Sequence, residues 1–395
     1  MKKISADYIF PISQPAIKEG ILVTENDGTL VEVINPATTD YRVEDVQKYD
    51  GILCPGFINT HCHLELSHFR GLISPQKGLH HFLMELDKIR KTFSQDQISE
   101  TIANAEKEMT ENGTVAAGDI SNTTDAFDVK RRSTICFHTF IEVFGSDPAF
   151  AQQRFAYALG LYHLLKDNDS AASIVPHSPY SVSGKLFSLI GQFAADTHNL
   201  LSIHHQENED ENLLFNNKSG AIPERMKAYG VDFSSFCPTG KRPLKSVASF
   251  LPEKNHLLLV HNTVSNEEDM LFARNRFPNL WLALCPNANR FIENRLPDIE
   301  LFRKLNLNLT IGTDSLAANR QLSVLEEIKT ISRQFPEIKT EEMLGWATLN
   351  GARFLKIDDT FGSFEKGKKP GIILINHIQL PDSTLSRTSK AKRLL

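Results

Sequence analysis

The sequence is poor in the features that would set it apart from ordinary globular enzymes. Five cysteines lie scattered among 395 residues, at positions 54, 62, 136, 237 and 285. An odd count without framework spacing does not read as a disulfide scaffold and fits a reducing cytoplasm. No stretch approaches the ~20 continuous apolar residues that a membrane helix needs. The opening MKKISADYIFPI holds two lysines but lacks the apolar segment of a signal peptide. A membrane is therefore not an expected partner. Charge of one sign is also scarce: 43 Lys and Arg against 48 Asp and Glu leave a formal charge of −5. That balance does not favour nucleic acid, which calls for a clustered basic surface. The short basic stretch 387–393 is expected to be a solvated tail. Low-complexity tracts and solenoid-length repeats are missing as well.

What is present is a large apolar inventory. Hydrophobic residues make up 41% of the chain, enough for a core beyond that of one small domain. Short apolar runs rich in β-branched or aromatic residues fall at 53–60, 114–120, 133–143, 172–176, 200–203, 256–260, 279–284 and 307–312. Between them, 79–92 and 97–110 repeat apolar residues with helical spacing. Strands separated by helices imply parallel pairing through crossovers. Eight such units predict an α/β fold, a (β/α)8 TIM barrel over 55–355. The flanks differ. Short strands are expected at 6–12, 20–23 and 30–33, with a turn at Asp27-Gly28, and 362–375 reads as turn and strand. Segments 1–54 and 356–395 should together build a small β-sandwich domain. The connection 208–247 has no strand run but carries Gly220, Gly230, Pro238, Gly240 and Pro243. A long connection on the catalytic face is a candidate lid.

The polar residues that end the apolar runs carry the chemistry. In a barrel the C-terminal strand ends converge on one face. His61 and His63 alternate on a strand and so share a side of it. His204 follows another run, with Glu207 three residues on, and Asp314 follows the last. Each has a plain structural explanation when taken singly: hydrogen-bonded histidines, a polar helix start, an aspartate N-cap. Together they form a mixed nitrogen and oxygen donor set for one divalent ion, zinc or iron(II). Such an ion lowers the pKa of a bound water. Glu207 is then placed to shuttle protons, while His261 is expected either to hold the hydroxide or to share proton transfer with Asp314. His205 should point elsewhere and serve structure.

Several segments then resemble the amidohydrolase superfamily. PGFINTHCH (55–63) resembles the opening of its barrel, and HHQE resembles its strand-five HxxE. VPHSPYSVS (175–183) is similar to its PHAPYTVS segment. CPNAN (285–289) is similar to CPxSN, with Ala288 in place of serine. GTDSLAANRQLS (312–323) resembles the GTDSxxSN block, with Ala318 in place of serine. ATLNGARFL (347–355) and GSFEKGKKPGIILI resemble the return to the β domain, although Pro370-Gly371 replaces the usual Ala-Asp. The resemblance spans about residues 5–376. It points to the subgroup of chlorohydrolases, guanine deaminase and S-adenosylhomocysteine deaminase. It implies one metal on His61, His63, His204 and Asp314, proton transfer by Glu207 and His261, and substrate contact by His177. His177 stands where binuclear relatives carry a bridging lysine, which favours a single metal. HLELS (63–67) is similar to aminodeoxyfutalosine deaminases of menaquinone biosynthesis. That implies a contact from Glu65 to the nucleoside, or a role for Glu65 behind a metal histidine. A substrate carboxylate would need a cation, and Arg290, Arg320, Lys241 and Arg242 are the candidates. The expected function is release of ammonia from a heteroaromatic amine, by an enzyme that forms a homo-oligomer such as a dimer. The alternatives are a chlorohydrolase or cyclic amide hydrolase, or a non-catalytic assembly protein that has kept the barrel.

Overall fold

The computed structural model describes the chain except for residues 40–44, 229, 232, 234, 235 and 381. The N-terminal segment forms strands β1 (Lys2–Ile9), β2 (Ile17–Lys18), β3 (Ile21–Thr24), β4 (Leu30–Ile34) and β5 (Gln47–Pro55). Eight strands follow: β6 (Phe57–Cys62), β7 (Thr114–Ser121), β8 (Cys136–Val143), β9 (Ala171–Pro176), β10 (Leu201–His205), β11 (Leu257–His261), β12 (Leu280–Leu284) and β13 (Asn308–Ile311). The C-terminal segment adds β14 (Ile372–Asn376) and β15 (Lys390–Arg393).

The two ends of the chain share one mixed sheet, ordered β15-β14-β5-β1-β3-β4 with β2 on β1. β14 runs antiparallel to β5, pairing Ile372 with Pro55 and Ile375 with Ile52. Gly51 allows the join: its φ is +118°, and a Cβ there would lie 2.3 Å from the Ile375 carbonyl oxygen. The Asp27-Gly28 turn forms as expected, with Gly28 at φ +92° and Asp27 Oδ1 accepting from the Thr29 amide at 3.0 Å. The basic stretch near the C-terminus is not a solvated tail. Its residues 390–393 form β15 and pair with β14, and Leu394 N donates to the Ile372 carbonyl.

The middle of the chain is α/β. β6-β7-β8-β9 and β10-β11-β12-β13 form two parallel four-stranded sheets, with helices on the connections. β6, β7, β10, β11 and β12 are buried at every residue, which is why each reads as a largely apolar run broken mainly by the polar residues near its C-terminal end. The helix Gln95–Glu111 starts on a capping box, in which Ser94 and Gln97 satisfy each other's backbone amides. The sheets meet at both edges. On one side the His204 amide donates to the His177 carbonyl at 2.8 Å. On the other, the Thr313 and Asp314 amides both donate to the His61 carbonyl at 3.0 Å, and Thr60 Oγ1 lies 2.8 Å from Thr310 Oγ1.

The first apolar run, 53–60, proves to be two strands. The segment up to Pro55 belongs to the terminal sheet, and β6 starts afresh at Phe57. Gly56 makes the break, because a Cβ there would sit 2.2 Å from Val115 Cγ1 and 2.7 Å from the Pro370 carbonyl oxygen. The 208–247 connection is helical, with helices Glu209–Asn217, Ala221–Ala228 and Pro243–Val247. Among the described residues, no helix is long and apolar enough to cross a membrane.

Candidate active site

His61 lies in β6 and His63 immediately follows it, where the chain turns into a short 3-10 helix at Leu64–Phe69. Asp119, at the end of β7, fixes that turn by accepting the Leu64 amide at 2.8 Å. Lys130 Nζ neutralises Asp119 at 2.8 Å and is itself buried. The pair escaped the sequence reading because neither residue ends an apolar run in a recognisable motif.

The predicted donors come together. His61 Nε2 and His63 Nε2 are 3.1 Å apart. Asp314 Oδ1 is 3.4 Å from His63 Nε2 and 3.9 Å from His61 Nε2. Nitrogens of His61, His63 and His204 all lie within 4.8 Å of one another, and all three residues are buried. No helix begins at Asp314, so an N-cap role does not explain it. Instead its φ of +57° turns the chain just after β13 and brings the carboxylate to the histidines. Asp tolerates that left-handed conformation better than most residues.

Burial and the neighbouring imidazoles of His204 and His63 hold His61 well below the usual histidine range. Burial likewise lowers His63. Both rings therefore offer lone pairs. His204 differs: burial opposes its charge, but the Glu142 hydrogen bond and the Glu142, Glu207 and Asp314 carboxylates push it up to about 9. Such a buried group of carboxylates calls for a positive charge at the centre. Tetrahedral ligands ~2.0–2.1 Å from one ion stand about 3.3 Å apart, close to the spacing of the two Nε2 atoms. The residues present thus fit a divalent cation.

Around this cluster stand the proton-transfer candidates. Glu207 lies 3.8 Å from His261 Nε2 through Oε1. Its backbone amide, and that of Gln206, donate to the two oxygens of buried Glu211 at 2.8 and 3.0 Å. Burial raises the Glu207 carboxyl above its ordinary range. Asn289 sets the tautomer of His261. Its Nδ2 donates to Thr263 Oγ1 at 2.9 Å, so its Oδ1, 2.8 Å from His261 Nδ1, must accept. His261 therefore carries its proton on Nδ1 and keeps a lone pair on Nε2. His261 and Asn262 both hold positive φ, +72° and +53°, a backbone strain of the kind that collects at functional sites. His205 points away, with Nδ1 on Asn262 Oδ1 at 2.9 Å.

Glu142, at the end of β8, is a functional candidate that sequence reading missed, because it sits inside an apolar run. The His204 Nδ1–H faces the His177 carbonyl at 3.1 Å and Glu142 Oε1 at 3.2 Å. A carbonyl can only accept, so a proton sits on Nδ1, which makes Nε2 the nitrogen that would serve a cation. Glu65 does not face the cavity. Its oxygens accept from the Asn122 amide (2.9 Å), the Thr123 amide (3.1 Å) and Thr123 Oγ1 (3.1 Å), which pins the loop after β7. His177 does face the cavity, with Nδ1 held by Ser181 Oγ at 2.7 Å.

A cavity of about 620 Å³ opens over the cluster, within the usual range for small-molecule sites. His63, Glu142, His204, Glu207, His261 and Asp314 form its floor, and Leu79, Phe82, Leu86 and Ile292 line an apolar side. Arg225, Met226, Gly230 and Val231 bring the 208–247 connection into its wall, as a lid would. None of the four proposed carboxylate partners lines it. Arg290, Arg320 and Lys241 are exposed elsewhere, and Arg242 is spent on Asp269 at 2.6 Å.

Fold and site together define a metal-dependent hydrolase. The chain belongs to the amidohydrolase family, whose model matches residues 52–393. It is an enzyme of carbon–nitrogen bond hydrolysis. Among curated relatives it is 26% identical over 335 residues to an adenosine deaminase of Helicobacter pylori, covering 81% of this chain and 78% of that one. It is 27% identical over 290 residues to an aminodeoxyfutalosine deaminase of Nitratiruptor sp., covering 71% and 67%. The crystal structure of a Helicobacter pylori aminofutalosine deaminase in complex with methylthio-coformycin superposes with a TM-score of 0.82. It covers 97% of this chain and 94% of that one at 22% identity, a likeness of fold.

Proposed function

We propose that the chain removes the exocyclic amino group of a purine-type nucleoside as ammonia. The observation that carries this is the Glu207–His261 pair facing the His61, His63, His204 and Asp314 donors across the floor of one cavity. On this reading those four side chains hold one divalent ion, zinc or alternatively iron(II), both of which accept such donors. Bound there, the ion supplies an activated water at neutral pH. His261 Nε2 accepts a hydrogen bond from that water and directs its lone pair at the ring carbon that bears the amine. Glu207 takes the proton the water gives up and delivers it to the adjacent ring nitrogen. As the carbon–nitrogen bond breaks, Glu207 takes the proton of the hydroxyl now on the ring carbon and passes it to the departing amine, leaving the oxo group. Water and the amino compound become the oxo compound and ammonia. His177 contacts the substrate from the wall.

The best single substrate is 6-amino-6-deoxyfutalosine, which would place the enzyme in menaquinone biosynthesis. The HLELS segment and the similarity to a relative named for that substrate support it. We also propose that the eight parallel strands close into a (β/α)8 barrel over 55–355, with 1–54 and 356–395 as a small β-sandwich domain. The hydrogen bonds at both edges of the two sheets support the closure. Ammonia release over a panel of aminopurine nucleosides tests the function. Ammonia is expected from at least one 5′-substituted adenosine. Ammonia from none, with chloride or ring-opened product from a chloro-triazine and cyclic amide panel, overturns it.

A carboxylate behind a metal-bound histidine strengthens that ligand, and losing it typically costs 10–100-fold in metal affinity. Glu142→Gln keeps the shape but removes the charge behind His204. Its zinc affinity, measured by competition with a chelator, is expected to fall by roughly that factor. Wild-type affinity in the variant would mean that Glu142 does not act through His204.

A further inference from the structure

Among the described residues three cationic side chains are buried: Lys130, Arg225 and Lys329. Two of them have carboxylate partners, Lys130 with Asp119 at 2.8 Å and Lys329 with Glu326 at 2.6 Å. Arg225 has none. It is 2% exposed and makes no side-chain hydrogen bond or ion pair among the described residues. Its one specific contact is the face of Tyr180, with the guanidinium 5.3 Å from the ring centroid. It also lines the active-site cavity.

A buried guanidinium without an anion is expensive. An unpaired ion taken out of water carries a large desolvation penalty. A desolvated cation–π contact returns only part of it. The other two arginines on the cavity, Arg90 and Arg154, are exposed and solvated. Arg225 alone is held dry at the wall with its donors unspent. Five N–H groups in a planar fork are built for an oxyanion.

Its place relative to the chemistry follows from a run of rings. The His204 and His177 ring centroids are 4.8 Å apart, and those of His177 and Tyr180 6.1 Å. The guanidinium of Arg225 then lies over the face of Tyr180, so two rings stand between His204 and Arg225 in this run of contacts. A ligand whose ring carbon is attacked beside His204 would reach Arg225 with its opposite end.

We infer that Arg225 receives a carboxylate at the end of the substrate remote from the departing amine, and so selects aminopurine nucleosides with a carboxylated substituent. This rests on the deaminase reading and adds its specificity residue. A carboxylate fits better than a phosphate. The cavity already holds Glu142, Glu207 and Asp314, and one guanidinium balances one negative charge. A phosphate at neutral pH carries nearly two. Tyr180 holds the fork in one plane, which suits bidentate pairing with a carboxylate.

The test is equilibrium binding to the metal-loaded enzyme. The probes are three 6-oxo nucleosides, which need no turnover: a 5′-linked carboxylate, its neutral carboxamide and inosine 5′-monophosphate. The wild type is expected to prefer carboxylate to carboxamide. In Arg225→Met that preference should shrink roughly 10- to 100-fold, the worth of a hydrogen bond to a charged group. Arg225→Lys, with the charge but not the fork, should fall between. Circular dichroism and metal content identify a variant that has not folded, in which case Arg225→Lys alone decides. An unchanged preference, an equal loss for both nucleosides, or a preference for the phosphate overturns the inference. So does a wild type that binds none of the three. If instead the wild type releases no ammonia from any aminopurine but the carboxylate preference still depends on Arg225, the deaminase reading fails and the anion site stands.

Discussion

Glu207→Gln is expected to abolish most turnover while leaving the metal in place. The substitution keeps the side-chain shape and the backbone hydrogen bonds to Glu211, which hold residues 206 and 207 through their amides. What it removes is the ability to take up and release a proton. General acid–base groups typically contribute 10²–10⁴-fold, so kcat should fall by about that factor. Metal content, read by elemental analysis, should match the wild type, because Glu207 is not among the proposed ligands. A Gln variant with normal kcat would remove Glu207 from the mechanism. One that had lost its metal would make Glu207 a ligand instead.

Asp314→Ala should strip the centre of metal. On our assignment it takes away the one anionic ligand, so affinity should fall by more than the roughly 100-fold that outer partners cost. Activity should vanish with the metal. The backbone complicates the reading, because Asp314 sits at φ +57°, where alanine is strained by ~1–2 kcal/mol. Asp314→Asn tolerates that conformation and serves as the control. If Asn also loses metal under chelator competition, the carboxylate is responsible. If both variants keep a full metal complement and normal rate, Asp314 is not a ligand.

The positions of the parallel strands were legible in the sequence because strands buried on both faces become continuous apolar runs. A histidine or aspartate at the end of such a run stands out against it, which is how His61, His63, His204, His261 and Asp314 were found. The residues that escaped detection lack that contrast. Glu142 is embedded in the run of β8, and only the approach of His204 Nδ1 reveals its direction. Arg225 lies in a connection without a strand pattern, on a helix of eight residues. The break at Gly56 is invisible because apolar residues flank it on both sides, and only the nearness of Val115 demands it. β15 reads Lys-Ala-Lys-Arg and looks like a tail. It is a sheet edge, where charged side chains are tolerated and guard against further pairing. Glu65 shows another limit, because a motif names a residue without saying which way its oxygens turn: here they accept from the Asn122 and Thr123 amides.

The bonds between His61 and the Thr313–Asp314 turn have a bearing on how the protein is made. Asn59 Nδ2 donates to Thr313 Oγ1 at 2.7 Å across 254 residues of chain, and the His61 carbonyl waits for two amides equally distant. On the ribosome, the first two histidines emerge long before the aspartate that would complete their group. For most of synthesis the nascent polypeptide has only a partial, weakly binding set. On our assignment a complete donor set exists only once residue 314 has joined residues 61, 63 and 204.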